Sequence, residues 1–294
     1  MIKHAFVLLA FMSPAAAWAA PVHHQLPRPD GTQIDYSVDA PDGPSAGMVV
    51  LLTGSGCLPG AVNANIALAR AAFPNHTALI VEKFGVGPDS DETDGFSDCP
   101  PAFHAGHTVS QRVADTAAVI DHLGPVDSLV LFGGSEGGLA VAMLANRVAV
   151  DAAIILSSGM GMGFEQLVLS TVPPEGQAHV SAGFATARAD AEGLALFAGS
   201  SHRFWADILP LLGVDEMVQT ETPFLLIQGG LDKSSPLEAA RTTADRFTAE
   251  GRCNLTYWEF PAFDHGMKDP SGTSHMAEVL ALAATWSENP IAGC

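Results

Sequence analysis

The chain has 294 residues, of which 48% are hydrophobic, and this is enough to build the core of one large domain. It carries 32 acidic but only 13 basic side chains, which gives a formal net charge of −19 at pH 7. A surface this acidic argues against nucleic acid or an anionic membrane as a partner.

Residues 1–19 have the three-part pattern of a secretory signal peptide. Lys3 precedes an apolar run over 5–12, and small residues end the segment at Ala19. The apolar run is too short to cross a bilayer, and no later stretch is long enough. The alternative is a buried N-terminal helix. We expect cleavage after Ala19 and an exported protein, periplasmic or secreted, with residues 20–294 forming a single domain.

Beyond this segment, apolar runs that fit strands alternate with segments of helical spacing. Strands are predicted at 33–39, 47–52, 77–81, 128–132, 152–156, 224–228 and 255–260, and helices at 61–73, 109–123, 136–147, 237–250 and 274–286. Thr108 or Ser110 is the expected N-cap of the second helix. Strands that are apolar on both faces and alternate with helices predict a mostly parallel central sheet covered by helices on both faces.

The motif Gly133-Gly-Ser135-Glu-Gly137 lies between a predicted buried strand and a predicted helix. Glycine costs roughly 0.5–1 kcal/mol relative to alanine inside either element, so these glycines need a reason. In a strand–turn–helix setting, G-x-S-x-G places the serine on a strained turn at the carboxyl end of the sheet. The residues two before and two after it must lack side chains, because strand and helix pass at close range there.

With this motif the chain resembles the α/β-hydrolase family over nearly all of residues 20–294. Two further segments follow in the family's order: a strand that ends in Gly-Gly-Leu-Asp232, and a strand followed by Asp-His265-Gly. The resemblance implies that Ser135 is the nucleophile, His265 the general base and Asp232 the acid that orients the histidine. It implies no cofactor, and the sequence does not indicate an oligomeric state.

Three aspartates are alternatives to Asp232, and two histidines are candidate metal ligands. Asp264 adjoins the predicted base, but its side chain points elsewhere and suits loop capping. Asp127 and Asp151 precede strands and so lie at the wrong edge of the sheet. His104 and His107 lack a third metal ligand in sequence, so we expect them to face solvent.

The family also needs two backbone N–H groups as an oxyanion hole. The first is expected from Glu136, directly after the serine. The second is expected from the turn after strand 47–52, where Thr53 replaces the family's usual histidine. Ser55 is the predicted donor and Gly56 the alternative. The Glu136 side chain is expected to contact a substrate amine or to face solvent.

Residues 159–221 follow the sixth strand of that fold and are too long for a plain connection. In the family an insertion here commonly forms a cap over the active site. Its apolar side chains suit an acyl chain or aromatic group, or else form the cap's own core. Met160, Phe204 and Trp205 are the predicted substrate-binding residues.

Four cysteines in an exported chain indicate disulfides, and the sequence alone leaves three pairings open. Neither their spacing nor the acidic run 89–95 fits a metal site, because no two cysteines are two to four residues apart and the EF-hand register fails. The topology that the resemblance implies favours the pairs Cys57–Cys99 and Cys253–Cys294.

These features indicate a small ester or peptide-like substrate. A carboxylic-ester hydrolase is the first interpretation, because esters need only the triad, an oxyanion hole and an apolar pocket. A serine peptidase or amidase, which uses the same machinery, is the alternative. A noncatalytic binding module is the third interpretation, and the intact Ser, Asp and His set argues against it.

Overall fold

The computed structural model describes residues 21–88, 90, 95 and 98–290. The predicted signal peptide lies outside these residues, as do most of the acidic run and the Cys294 partner predicted for Cys253. Within the described part, no helix is long and apolar enough to span a bilayer.

An eight-stranded sheet forms the centre of the molecule, with strand order β1-β2-β4-β3-β5-β6-β9-β10. Its strands are β1 (Val22–Pro27), β2 (Gln33–Asp39), β3 (Met48–Leu52), β4 (Thr77–Val81), β5 (Leu129–Gly134), β6 (Ala152–Leu156), β9 (Phe224–Gly229) and β10 (Leu255–Phe260). Strand β2 pairs antiparallel with both of its neighbours, and the other pairs are parallel. The carboxyl ends of the parallel strands therefore share one edge of the sheet.

Helices cover both faces of the sheet, because successive strand side chains point to opposite faces. The helices outside the predicted cap are α1 (Ala64–Ala72), α2 (Pro101–Gly106), α3 (Val109–Leu123), α4 (Glu136–Leu144), α9 (Leu237–Ala249) and α10 (Met276–Glu288). Val50 and Leu52 pack with residues of α3, α4 and α9 on one face. Val49 and Leu51 pack with residues of α1 and α10 on the other. The predicted mostly parallel sheet with helices on both faces is confirmed.

Residues 159–221, here named the cap segment, fold into helices and a hairpin between β6 and β9. They form α5 (Phe164–Thr171), α6 (Pro174–Ala189), the hairpin strands β7 (Leu196–Phe197) and β8 (Ser200–Ser201), α7 (His202–Ile208) and α8 (Gly213–Met217). Phe184, Phe204 and Trp205 are buried together in this segment.

Three kinds of element escaped the sequence reading. Strand β1 is an edge strand whose side chains are almost all exposed, so it lacks an apolar alternation. Helix α2 has six residues and begins after Pro100, too short to show a helical period. Of the cap helices, α5, α7 and α8 have only eight, seven and five residues, and α6, with sixteen, buries only Phe184 and Ala187, so the helical period is weak in this segment. Of the two proposed caps for α3, Thr108 is used: its side chain accepts from the Gln111 N–H at 3.0 Å.

Candidate active site

Ser135 lies on the turn between β5 and α4, at the carboxyl edge of the sheet. Its φ of 54° is left-handed, a conformation that costs a residue with a side chain of order 1–3 kcal/mol. Two hydrogen bonds hold the turn: the Ser135 N–H donates to the Leu156 carbonyl at 2.9 Å, and the Ser158 hydroxyl donates to the Ser135 carbonyl at 2.6 Å.

The glycines on either side of Ser135 are required by backbone contacts. A Cβ on Gly137 would lie 2.5 Å from the Leu52 carbonyl oxygen and 2.6 Å from that of Thr53, at the end of β3. A Cβ on Gly133 would overlap the carbonyl oxygen of Gly137 itself. The steric demand predicted from the motif is therefore present at both positions.

Asp232 and His265 meet at the same sheet edge, after β9 and β10. His265 Nδ1 lies 2.9 Å from Asp232 Oδ2. The side chain of Asp232 is fully buried, whereas that of His265 is 35% exposed. Asp232 Oδ1 accepts from the backbone N–H groups of Ser234 and Ser235, each at 2.8 Å. With the aspartate an acceptor on every side, His265 Nδ1 is the donor, which leaves its Nε2 free to accept a proton.

Gln228 is a contributor that the sequence reading missed. Its side chain is fully buried in β9, and its Nε2 donates to Asp232 Oδ2 at 2.8 Å and to the Ser235 carbonyl at 2.9 Å. It therefore fixes the carboxylate and the loop that follows. A single polar residue in an otherwise apolar strand was the available signal, because a buried amide needs partners.

Two cavities meet at Ser135 and His265. The larger, of about 470 Å³, lies between the sheet edge and the cap segment, with Lys233 at its rim. Its apolar lining residues are Leu139, Met160, Met162, Phe164, Leu167, Val168, Ile208 and Leu211. The smaller, of about 320 Å³, is bordered by residues that include Asn63, Asn65 and Met276. A substrate whose carbonyl group lies beside the serine can thus extend into a separate cavity on each side of that group.

The predicted substrate-binding residues divide between cavity and core. Met160 lines the larger cavity. The prediction is wrong for Phe204 and Trp205. Neither is among the described residues that line the cavity, and both are buried in the core of the cap segment. Trp205 packs against Phe164 in a tilted arrangement, with ring centroids 5.6 Å apart, so it supports a residue of the cavity wall. Because these large rings fill the core of the cap segment, they are not available to line the cavity.

The loop 53–57, named the oxyanion loop, follows β3 and carries the predicted donors. Ser55 lines both cavities, and Gly54 lies so close to the serine that a Cβ there would be 3.5 Å from Ser135 Cβ. Glu136 is the first residue of α4, and the first N–H groups of a helix have no acceptor within it. The predicted donors Ser55 and Glu136 thus line the same cavity as Ser135.

The prediction for the side chain of Glu136 is wrong. It neither faces solvent nor extends toward a substrate amine: it is 3% exposed and lies beneath the oxyanion loop. Its Oε1 lies 2.9 Å from Lys83 Nζ, 3.5 Å from His107 Nε2 and 3.6 Å from the Arg112 guanidinium. Burial alone would raise the pKa of Glu136, but Lys83, His107 and Arg112 outweigh it and hold that pKa far below its usual range.

The prediction that His107 faces solvent is also wrong, because its side chain is buried and the residue is only 2% exposed. Its ring stacks between those of Phe103 and Phe204, at centroid distances of 4.6 and 5.6 Å. Burial lowers the pKa of His107 to about 4, so the ring is neutral at neutral pH. His104 is half-buried. Across the described residues, no group of three or more His, Cys, Asp or Glu side chains is arranged to hold a metal ion.

Two of the three competing acids, Asp264 and Asp151, bind backbone N–H groups away from the proposed triad. Asp264 Oδ1 accepts from the N–H groups of Gly266 and Lys268, each at 2.9 Å, and so caps the turn around His265. Asp151 Oδ2 accepts from the Leu129 N–H at 2.8 Å, at the start of β5 and therefore at the opposite edge of the sheet.

Cys57 and Cys99 form a disulfide, as predicted, with a Cα–Cα distance of 5.6 Å. Cys57 ends the oxyanion loop, and its N–H donates to the Gly95 carbonyl at 2.7 Å. The bond therefore joins the oxyanion loop to the segment that precedes α2.

No protein-family model and no curated protein matches the chain. Several solved structures share its architecture. Est1E from Butyrivibrio proteoclasticus aligns with 94% of this chain and 100% of its own, at a TM-score of 0.60 and 15% identity. A monoacylglycerol lipase of Paleococcus ferrophilus aligns with 87% of this chain and 98% of its own, at a TM-score of 0.59 and 18% identity. An acylaminoacyl peptidase of Pyrococcus horikoshii aligns with 94% of this chain and 42% of its own, at a TM-score of 0.62 and 14% identity.

At these identities the likeness concerns the fold. The chain has the α/β-hydrolase fold, which confirms the expectation drawn from the sequence.

Proposed function

We propose that this protein is an exported serine hydrolase that cleaves carboxylic esters. The observation that carries the proposal is that Ser135, held on a strained turn, and His265, hydrogen-bonded to the buried Asp232, line one apolar cavity of about 470 Å³. A nucleophile, a base and an orienting acid beside an apolar pocket are the parts that acyl transfer needs.

In the proposed reaction, Ser135 Oγ attacks the ester carbonyl carbon and gives its proton to His265 Nε2. The amides of Ser55 and Glu136 stabilise the oxyanion that forms. His265 then protonates the leaving alkoxide, and an acyl-enzyme remains on Ser135. Water attacks this ester as His265 takes its proton, and the carboxylic acid departs when Ser135 regains a proton. Asp232 holds the imidazole in the required tautomer throughout.

Two observations favour an ester over a peptide. The Glu136 carboxylate, which could have bound a substrate amino group, is buried against Lys83. The apolar part of the larger cavity's wall consists, apart from Phe164, of aliphatic and thioether side chains, which suit an acyl chain. The fold is shared with an acylaminoacyl peptidase, so the same assay also tests amide substrates.

Export is supported by the Cys57–Cys99 disulfide, because disulfides form and persist in oxidising compartments. The signal-peptide pattern at the start of the sequence predicts the same location.

The test uses p-nitrophenyl esters of graded chain length beside aminoacyl and acylaminoacyl anilides, with labelling by a fluorophosphonate. We expect ester turnover and labelling that Ser135→Ala abolishes. Ser170→Ala, an exposed serine on α5, is the matched control and should retain both. Labelling of Ser135→Ala would refute the proposed nucleophile, and turnover of anilides alone would replace the ester by an amide.

A further inference from the structure

Three backbone carbonyls of the oxyanion loop accept hydrogen bonds from buried cations on other elements. Lys83, just after β4, donates from Nζ to the Gly54 carbonyl at 2.6 Å and to the Gly56 carbonyl at 2.8 Å. Arg112 of α3 donates to the Thr53 carbonyl at 2.7 Å. These bonds lie away from solvent, since the side chains of Lys83 and Arg112 are 3% and 1% exposed.

The direction of a carbonyl fixes the direction of the next N–H. In a trans peptide the two groups are coplanar and point to opposite sides, and the chain has no cis peptide bond among its described residues. Because the Gly54 carbonyl points to Lys83, the Ser55 N–H points away from Lys83. Ser55 lines both cavities that Ser135 lines. The side of the loop away from Lys83 is therefore the side on which we place the reacting group.

The same geometry is visible one step along the loop. The Gly56 carbonyl also points to Lys83, and the next N–H, that of Cys57, points away and donates to the Gly95 carbonyl at 2.7 Å. The carbonyl contacts of Lys83 therefore set the orientation of two alternate amides. Gly56, the alternative donor predicted from the sequence, contributes its carbonyl to this arrangement.

Glu136 joins the two halves of the oxyanion hole. Its backbone N–H is one proposed donor, and its carboxylate binds Lys83, whose ammonium binds the Gly54 carbonyl next to the other proposed donor. The two amides follow the adjacent strands β3 and β5, whose pairing already brings the strand ends together. The buried ion pair between Lys83 and Glu136 adds a direct side-chain link between the two donor segments.

We propose that Lys83 is a positioning residue of the oxyanion hole, which turns the Ser55 N–H toward Ser135 and is itself held by the Glu136 carboxylate. The inference rests on the proposed serine-hydrolase function and extends it. Burial lowers the pKa of Lys83 to about 8, so the ammonium stays charged at neutral pH. Lys83 touches neither substrate nor the reacting atoms.

The test is steady-state kinetics of Lys83→Met on a p-nitrophenyl ester, with inhibition by a trifluoromethyl ketone, whose serine adduct carries an oxyanion. Loss of one oxyanion donor costs about 10²–10³ in kcat, and a misdirected donor should cost somewhat less, about 10- to 100-fold. We expect KM to change less than about threefold, because ground-state binding in the cavity is untouched. The inhibitor should weaken in parallel with kcat/KM, which a general loss of packing would not produce.

Arg70→Met is the matched control. Arg70 is also a buried cation that binds a carboxylate, Asp39 at 2.7 Å, and a backbone carbonyl, Phe73 at 2.7 Å, but at the opposite edge of the sheet. It should lower the melting temperature and leave kcat unchanged. If Lys83→Met does not fold, the double variant Lys83→Met/Glu136→Gln replaces it, because it keeps the net charge of the cluster with Arg112 the same.

The outcomes separate the two proposals. Unchanged kcat and inhibitor affinity in a folded Lys83 variant, with Ser135→Ala inactive, overturn the positioning role alone. Equal losses in the Lys83 and Arg70 variants also overturn it. Ester turnover that survives Ser135→Ala overturns the proposed function, and this inference with it.

Discussion

Gly137→Ala tests how closely α4 approaches the end of β3. The added Cβ would lie 2.5 Å from the Leu52 carbonyl oxygen and 2.6 Å from that of Thr53, where ordinary contact begins at 3.4 Å. The backbone must therefore move by about 0.9 Å. Neither oxygen can rotate away, because β3 is paired on both sides and the Thr53 carbonyl also binds Arg112.

The expected cost follows from these contacts. Overpacking costs about 1–3 kcal/mol, and a backbone clash belongs at the upper end. Alanine in place of glycine in a helix returns about 1 kcal/mol, so the net loss should be about 2 kcal/mol. That corresponds to a fall in melting temperature of about 4–8 °C. Displacing the oxyanion loop by most of an ångström should also lower kcat/KM by about 100-fold.

Gly134→Ala is the control for stability within the same motif. A Cβ there meets only the Leu156 carbonyl oxygen, at 3.7 Å, so its melting temperature should stay within about 2 °C of wild type. Thermal unfolding followed by circular dichroism, with kcat/KM for a p-nitrophenyl ester, measures both effects. If Gly137→Ala melts and reacts like wild type, or if Gly134→Ala loses as much stability, the steric account of the motif is wrong.

Three further predictions concern the acid, the disulfide and a buried histidine. Asp232→Asn should lower kcat by about 10³-fold or more, since the imidazole loses its tautomer, whereas Asp264→Asn should change kcat only a few-fold; the reverse order would identify the wrong acid. Reducing the Cys57–Cys99 disulfide, which spans 42 residues, should cost about 4 kcal/mol in urea unfolding, and an unshifted midpoint would contradict this. The pKa of His107 is lowered from 6.5 to about 4, so its neutral form contributes stability that is complete above pH 6.5 and is lost as pH falls through 4. Relative to His107→Gln, the wild-type protein should lose about 3 kcal/mol between pH 7 and pH 4, and parallel stability profiles of the two would refute the buried neutral ring.

Local patterns in the sequence were sufficient for most of the fold. A buried parallel strand needs a continuous apolar run and a covering helix needs a period near 3.6, so both are legible within a dozen residues. The glycines around Ser135 were equally legible, because their cause is a contact between adjacent elements. Since parallel strands end at one edge, the order of the motifs also indicated that Ser135, Asp232 and His265 would lie together.

Only the tertiary structure decided two arrangements: the buried polar cluster around Glu136, and the packing of the cap segment. Glu136, Lys83, Arg112 and His107 come from four separate segments, and each reads locally as a polar residue bound for solvent, yet all four are buried. The partner that makes burial tolerable lies 24 or more residues away for each of them, so no window of sequence contains it. Phe204 and Trp205 failed for the complementary reason. An apolar ring serves a core and a pocket equally well, and only the packing of the cap segment determines which of the two it lines.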